Sequence, residues 1–139
     1  MIMKIYQDKF EIKTLKRTEI VDVTNKVENV VKKSKIKNGL CIVFIPHATA
    51  AVILNENEVG LVEDIIAKVK KDFPTGIGYK HDRIDDNADS HLASSFFGQS
   101  ITIPVKDNKL LCGTWQQIFI LELDGPRSSR KVIVTLIGE

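Results

Sequence analysis

The sequence predicts an α+β protein that folds as a single compact domain over residues 1–139. We expect mostly antiparallel sheet in a sandwich-like arrangement, with two main helices and one short helix. A length of 139 residues fits one domain. Only two long segments carry apolar residues at helical spacing, and every segment after residue 100 reads as a strand. A (β/α)₈ barrel needs about 250 residues, so the length excludes that fold.

The first third of the chain predicts strands on either side of one helix. Loose alternation of apolar and polar residues over the first sixteen positions predicts two strands around Gln7-Asp8-Lys9. Thr24 can cap a helix over 25–37, whose valines recur at helical spacing, and Asn38-Gly39 is a suitable stop. Two further strands are predicted over 40–46 and 50–54.

The second helix has the clearest pattern in the sequence. Leu61, Ile65, Val69 and Phe73 recur every four residues, and Pro74 ends the segment. Acidic residues lie towards its N-terminal end and lysines near its C-terminus, which complements the helix dipole. The remaining predicted elements are a loop over 74–88, a short helix over 90–97 capped by Asp89, and strands over 100–106, 109–112, 115–123 and 131–137.

Composition and charge exclude several classes of protein. The net charge is +2, from 20 basic and 18 acidic residues without a basic stripe, so we expect no nucleic-acid partner. Glycine, proline and polar residues interrupt the uncharged stretch 38–55, which favours two buried strands over a membrane span. Cys41 and Cys112 lie in apolar runs, as buried free thiols of a reducing compartment do. The N-terminus lacks the apolar core of a signal peptide, so we expect a cytoplasmic protein with no membrane partner.

The positions of three histidines suggest a site. His47 follows a predicted buried strand, His81 opens an acidic segment, and His91 lies in the first turn of the short helix. A helix N-terminus disfavours imidazolium, and a metal ion binds the neutral ring. Three imidazoles with water or a carboxylate would suit zinc with an open coordination position. The alternative is that each histidine is an isolated structural hydrogen-bonding group.

Four aspartates crowd the segment between two of these histidines. They are Asp82, Asp85, Asp86 and Asp89. Like charges this close repel unless a cation, an arginine or solvent neutralises them. Asp82 and Asp86 are candidates for a general base or for a group that orients a metal-bound histidine. Asp85 and Asp89 fit a solvated turn with helix caps.

The segment 124–130 is a second candidate for binding chemistry. Arg127 and Arg130 lie in it beside two serines and a glycine, and such donors hold phosphate in many proteins. The alternative is that both are surface arginines of a turn. Asn55 is close in sequence to His47 and can share its pocket, or it can serve the start of the second helix.

Taken in order, these pieces resemble the YjbQ family, whose members are widely described as secondary thiamine-phosphate synthase enzymes. The resemblance covers most of the chain and rests on His47-Ala48-Thr49-Ala50-Ala51, Asn55-Glu56, His81-Asp82, Asp85-Asp86, Ser90-His91-Leu92, Ser94-Ser95, Gly98, Ile103-Pro104, Gly113-Thr114-Trp115-Gln116, Gly125-Pro126-Arg127 and Gly138-Glu139. The family usually has His-Thr-Ser-Ala at the first of these motifs. Thr49 therefore keeps a hydroxyl, whereas Ala48 loses one.

The resemblance implies a homotrimer with a pocket near the subunit interfaces. It implies that this pocket is lined by His47, His81 and His91, which can hold a divalent metal ion (zinc, manganese or magnesium). We expect catalytic roles for His81, Asp82, Asp86 and His91. We expect substrate or phosphate binding by Thr49, Asn55, Gln116, Arg127 and Arg130.

The expected function is that of a small enzyme acting on a phosphorylated small molecule, with a weak thiamine-phosphate synthase activity implied by the resemblance. In that reaction a thiazole phosphate nitrogen displaces pyrophosphate from a pyrimidine, and the protein must neutralise the leaving group. Two alternatives stay open. One is a metal-dependent phosphate-ester hydrolase that uses the same residues, and the other is a non-catalytic protein that binds a phosphorylated metabolite.

Overall fold

Two antiparallel sheets and three α helices form the part of the chain that the structure, a computed structural model, describes, which is residues 2–139. In chain order the elements are β1 (Lys4–Ile12), β2 (Glu19–Asp22), α1 (Thr24–Ser34), β3 (Gly39–Phe44), β4 (Ala50–Asn55), α2 (Val59–Asp72), a 3₁₀ turn (Lys80–Arg83), α3 (Ala88–Phe97), β5 (Ser100–Lys106), β6 (Lys109–Leu110), β7 (Gln117–Glu122) and β8 (Arg130–Gly138). The large sheet has the order β1-β8-β3-β5-β6 and the small sheet the order β2-β7-β4. The predicted α+β class with mostly antiparallel sheet is confirmed.

The main core lies between the two sheets, since alternate side chains of each strand point to the same face. Cys41 and Val43 of β3 and Ile118 and Ile120 of β7 are fully buried in it. α1 contacts strands of both sheets and adds Val27, also fully buried, to the same core. The apolar runs that predicted strands in the sequence thus become the facing surfaces of a sandwich.

α2 and α3 cover the other face of the small sheet. Ala51 of β4 and Leu121 of β7 are register partners, and they pack with Val69 of α2 and Ala93 of α3. All four side chains are buried. Ser94 fixes α3 further, because its Oγ donates a hydrogen bond to the Ala50 carbonyl on β4 at 2.7 Å.

The second face of the large sheet carries exposed apolar side chains. Leu40 and Phe44 of β3 lie opposite Ile137 and Ile133 of β8, and Ile5 of β1 lies opposite Ile137. Leu40, Phe44 and Ile5 are 45%, 40% and 75% exposed. We call the surface formed by these five residues the outer sheet face.

β1 differs from its prediction because it runs without a break through the expected turn at Gln7-Asp8-Lys9. These three residues pair in register with Thr135, Val134 and Ile133 of β8. An edge strand with one face in solvent accommodates polar side chains, so the local sequence signal for a turn is outweighed by long-range pairing.

Other element boundaries also moved. β2 was not predicted, since it is only four residues long and depends on its pairing with β7. α1 ends at Ser34, earlier than the predicted residue 37, because Lys35 takes a left-handed conformation with φ of 57°. The uncharged stretch 38–55 forms β3 and β4, as expected.

No helix within residues 2–139 has both the length and the apolar character needed to cross a membrane. Cys41 is a buried free thiol, as expected, and Cys112 is free and half-buried. Burial raises the pKa of the Cys41 thiol to about 12, and the neighbouring Cys112 adds to this effect.

Candidate functional site

The structure brings two of the three histidines into contact. His81 lies on the 3₁₀ turn and His91 on the first half of α3. Their ring centroids are 4.7 Å apart, and the ring planes meet at 79°, so the edge of one imidazole faces the other. His81 is exposed and His91 is half-buried. We call His81 and His91 the histidine pair.

Asp82 holds the turn of His81 against the start of α3. Its Oδ1 accepts a hydrogen bond from the backbone N–H of Ala88 at 3.0 Å. The first N–H groups of a helix have no partner inside the helix, so a carboxylate there is a natural cap. Asp82 therefore positions the histidine pair, whereas Asp86 is exposed and its carboxylate takes part in no hydrogen bond within residues 2–139.

Asp89 has a role other than the predicted cap. Asn87 occupies the position before α3, and Asp89 lies inside the helix. The Asp89 carboxylate is buried and pairs with Arg17, whose Nη2 lies 3.0 Å from Oδ1. Asp82, which precedes α3 by six residues, performs the capping instead.

Asn87 connects α3 to the segment that follows β7. Its Nδ2 donates to Asp124 Oδ2 at 2.9 Å, and Arg127 Nη2 donates to the same oxygen at 2.9 Å. The Oδ1 atom of Asn87 is buried and has no hydrogen-bond partner within the described residues. Position 125 of this segment requires glycine, because an added Cβ would collide with the Lys16 carbonyl.

His47 does not join the histidine pair within one chain. Its Nε2 accepts a hydrogen bond from the backbone N–H of Lys131 at 2.9 Å. This bond occupies the lone pair of Nε2, so the neutral ring carries its proton on Nδ1. Among residues 2–139, no three His, Cys, Asp or Glu side chains are placed to hold one metal ion. The expected centre of three histidines is therefore not formed by a single chain.

The charge environment of His47 keeps it neutral. Burial and the nearby cations of Arg130 and Arg127 lower its pKa below the ordinary value of 6.5, although Glu122 opposes them. A neutral His47 suits the hydrogen bond that it accepts.

Arg130 forms a buried ion pair instead of an exposed phosphate site. Its Nε donates to Glu122 Oε1 at 3.0 Å, and its Nη2 donates to Thr49 Oγ1 at 3.0 Å. Thr14 Oγ1 donates to the same Glu122 oxygen at 2.7 Å. Burial raises the pKa of Glu122, but the hydrogen bonds from Arg130 and Thr14 outweigh it and hold that pKa below its ordinary value. Arg130 and Thr49, both expected to bind ligand, thus satisfy internal partners.

The other predicted binding residues lie in separate turns. Arg127 is exposed and pairs with Asp124. Asn55 is exposed at the end of β4, where its Oδ1 accepts from the Glu56 N–H at 2.8 Å. Gln116 is exposed before β7 and accepts from the Gly113 N–H at 2.8 Å.

The sequence reasoning missed three residues of this region, Asn87, Glu122 and Asp124. A signal was present for Glu122 and Asp124, because both interrupt or end the apolar run of β7 directly before Gly125-Pro126. A charged residue inside an apolar strand is retained only with a partner, so Glu122 predicts a buried cation. Asn87 carried no comparable signal among the neighbouring aspartates.

Comparison with known proteins places the chain in a defined group. The family model described as UPF0047 protein YjbQ-like matches residues 8–139. A UPF0047 protein from Archaeoglobus fulgidus is 48% identical over 125 residues, which is 90% of this chain and 97% of that protein. The UPF0047 protein YugU from Bacillus subtilis is 32% identical over 132 residues, 92% of this chain and 96% of that protein.

Solved structures agree with the fold over nearly the whole chain. The crystal structure of a YbjQ-like protein of unknown function from Sulfolobus solfataricus superposes with a TM-score of 0.98 at 48% identity, covering 99% of this chain and 100% of that one. A hypothetical protein from Aeropyrum pernix superposes with a TM-score of 0.93 at 41% identity, covering 96% and 99%.

These comparisons correct the expected function. The matching family carries a UPF0047 description, and the structural neighbour from Sulfolobus solfataricus is described as being of unknown function. Neither description names thiamine-phosphate synthesis, phosphate-ester hydrolysis or the binding of a phosphorylated metabolite. The expectation of a thiamine-phosphate synthase acting on a phosphorylated small molecule is therefore wrong on these findings.

Proposed function

The chain belongs to the YjbQ-like UPF0047 family, and on that premise we propose that it is a metal-binding protein whose histidine pair holds one divalent zinc ion. The observation that supports this proposal is the 4.7 Å separation of the two ring centroids. Two imidazoles that share one tetrahedral zinc ion, each at about 2.0–2.1 Å, have ring centres about 5 Å apart. The separation of the ring centres in the histidine pair is close to that value.

The donor types favour zinc over the other two metals considered. Imidazole nitrogen suits zinc, whereas magnesium and manganese prefer carboxylate, carbonyl and water oxygens. Asp82 is already committed to the Ala88 N–H. Asn87 lies between the 3₁₀ turn and α3, and its buried Oδ1 has no hydrogen-bond partner within the described residues. A buried oxygen without a partner is uncommon and calls for a water or ligand donor.

Within this proposal each residue has a defined task. His81 and His91 bind the ion through ring nitrogens, and Asp82 holds the turn of His81 at the start of α3. A zinc ion with positions open to solvent supplies a Lewis acid that polarises an oxygen of a small ligand. His47 stays outside the centre because its Nε2 accepts from Lys131.

We further propose that the site is completed in a homotrimer. Zinc sites usually have three or four ligands from protein side chains, and the histidine pair supplies two. A neighbouring subunit or water must therefore supply the remaining ligands. Ile84 and Leu92, next in sequence to the turn and to His91, are 77% and 40% exposed. A closed ring joins two different surfaces of each subunit. The outer sheet face and the apolar residues beside the histidine pair are two such surfaces.

A cytoplasmic location belongs to the same proposal. The two free thiols, Cys41 and Cys112, are typical of a reducing compartment.

The zinc content of purified variants tests the proposal. Protein made without a His tag is saturated with zinc, freed of excess ion and measured by elemental analysis. We expect about one zinc ion per chain, as for a single-ion site, and loss of that ion in His81→Ala and in His91→Ala. His47→Gln is the matched histidine control and should keep its zinc. Equal zinc in all four proteins, or loss confined to His47→Gln, would contradict the proposal.

A further inference from the structure

We propose that a cavity between α2, α3 and the connection from β1 to β2, apart from the histidine pair, binds a small organic carboxylate with an apolar body. The cavity has a volume of about 400 Å³, within the range of small-molecule sites. Neither His81 nor His91 lines it. This site is therefore distinct from the zinc site proposed above, and each can fail without the other.

The lining of this cavity is apolar over much of its area. Val69, Ala93 and Leu123 contribute to it, and each is exposed by 5% or less. Phe73 adds a half-buried ring. These side chains are held by the packing of α2 and α3 on the small sheet. An apolar group placed against them leaves water without requiring the protein to rearrange.

Arg17 supplies a directed donor at the same cavity. Its Nη2 contacts both carboxylate oxygens of Asp89, at 3.0 and 3.2 Å, and lies 3.3 Å from Ser90 Oγ. The Nε and Nη1 groups of Arg17 donate to no acceptor within residues 2–139. The buried Asp89 thus fixes the guanidinium and leaves the Nε and Nη1 donors free. Each of these two free donors can give one charge-assisted hydrogen bond to a carboxylate oxygen.

The charge balance favours a ligand with a single negative charge. Arg17 and Lys70 bring two positive charges to the lining, and Asp89 brings one negative charge. One positive charge remains, which a monoanion neutralises. A dianion such as inorganic phosphate would leave an excess negative charge beside Asp89, so a carboxylate is the better match.

Three probes of one shape test the class of ligand. They are 4-phenylbutyrate, 4-phenylbutanol and 4-phenylbutylamine, titrated into the full chain by calorimetry and by amide NMR. We expect the carboxylate to bind about tenfold more tightly than the alcohol, a difference typical of one charge-assisted contact. The amine should bind more weakly than the alcohol. The largest amide shifts should fall on residues of α2, α3 and the β1–β2 connection.

A matched pair of lysine variants tests whether the carboxylate binds in this cavity. Lys70→Gln removes a charge from the lining, and Lys71→Gln removes the same charge from the next residue of α2, which is exposed and does not line the cavity. We expect Lys70→Gln to weaken 4-phenylbutyrate binding about two- to fivefold, as for an exposed charge pair, and Lys71→Gln to leave it unchanged.

Three results would overturn the proposal. They are absence of 4-phenylbutyrate binding, equal affinity for carboxylate and alcohol, and equal effects of the two lysine variants. His91→Ala serves as the independent check on the first site, because it should lose zinc and keep the carboxylate affinity.

Discussion

Arg130 has a different role in the structure from the one that its sequence context suggests. In the sequence it belongs to a loop with glycine and serines, which suggests phosphate binding. In the structure it is the first residue of β8, 2% exposed, with its donors directed at Glu122 and Thr49. A buried cation needs a close anionic partner, and Glu122 at the end of β7 provides it.

Breaking this buried pair should strongly destabilise the protein. Glu122→Gln keeps the shape of the side chain and leaves Arg130 without a compensating charge, so we expect a loss of about 3–5 kcal/mol. The measurement is the free energy of unfolding in urea. Lys68→Gln is the control, because its pair with Asp72 is exposed and should contribute less than about 0.5 kcal/mol. Similar losses in the two variants would contradict a special role for the buried pair.

His47 provides a prediction about pH. Burial and the cations of Arg130 and Arg127 place its folded-state pKa below 6.5. The unfolded chain then takes up the proton first, so the stability that neutral His47 contributes is complete above pH 6.5 and declines as the pH falls towards the folded pKa. NMR titration of the imidazole protons should find the His47 midpoint below 6.5. A midpoint above 6.5 would show that the Lys131 N–H does not hold the ring neutral.

At the scale of elements, the junction of the 3₁₀ turn with α3 organises the site. Asp82 Oδ1 accepts from the Ala88 N–H at 3.0 Å, and the turn is closed by the Ile84 N–H donating to the His81 carbonyl at 3.0 Å. His91 follows one turn into the helix. The position of the histidine pair therefore depends on a cap that links two elements.

Removal of this cap should loosen the start of α3. We expect Asp82→Ala to cost about 0.5–2 kcal/mol of stability, the usual effect of losing a helix cap. Hydrogen exchange at the Ala88 amide should become faster. Asp86→Ala is the control, because Asp86 is exposed, and its effect should stay within about 0.5 kcal/mol. Unchanged stability and unchanged hydrogen exchange at Ala88 in Asp82→Ala would show that Asp82 does not hold the start of α3 in position.

The elements that could be predicted were those with a strong local pattern. α2 was found from the four-residue repeat that begins at Leu61, and β3 from the apolar run that contains Cys41 and Val43. β2 and the centre of β1 were missed because their structure depends on partners that lie 97 to 128 residues later in the chain. Local sequence carries no signal for such pairing.

The contacts of the candidate site also differ in whether local sequence can predict them. His81 and His91 are ten residues apart, and a turn followed by a helix was enough to predict their approach. The state of His47 depends on the register of β8, which places the Lys131 N–H beside it. The pairing of Arg130 with Glu122 depends on how the segment after β7 returns to start β8. The residue types predict a buried cation beside Glu122 but do not identify it as Arg130, and they carry no signal for the contact of His47 with Lys131.

At the scale of the whole molecule, exposed apolar side chains are the main unexplained feature of a single chain. Some of them lie on the outer sheet face and beside the histidine pair, and others, such as Val59 and Trp115, lie elsewhere. Large apolar patches on a protein surface commonly mark sites of association. A trimer with cyclic symmetry would bury one of these surfaces of each subunit against the other surface of the next.

Two charge-introducing variants test this arrangement. Phe44→Glu alters the outer sheet face, and Ile84→Glu alters the surface beside the histidine pair. If the chain forms the proposed trimer, each variant alone should give species smaller than a trimer in analytical ultracentrifugation. Mixed together, they should form a dimer that cannot close, because each retains the surface that the other lacks. Val59→Glu, at an apolar position that is 75% exposed against 77% for Ile84, is the control and should leave the assembly of the wild-type chain unchanged.

The account of the trimer would be contradicted by two results. One is a monomeric wild-type chain at micromolar concentration. The other is a mixture of Phe44→Glu and Ile84→Glu that behaves as two independent monomers.

The most direct test of the central claim is a crystal of the wild-type protein grown with zinc, with diffraction measured at the zinc absorption edge. The claim is that the histidine pair is a metal centre. It predicts an anomalous peak about 2.0–2.1 Å from a ring nitrogen of His81 and from one of His91. A crystal saturated with zinc that has no peak at the pair, or a peak only at His47, would contradict it.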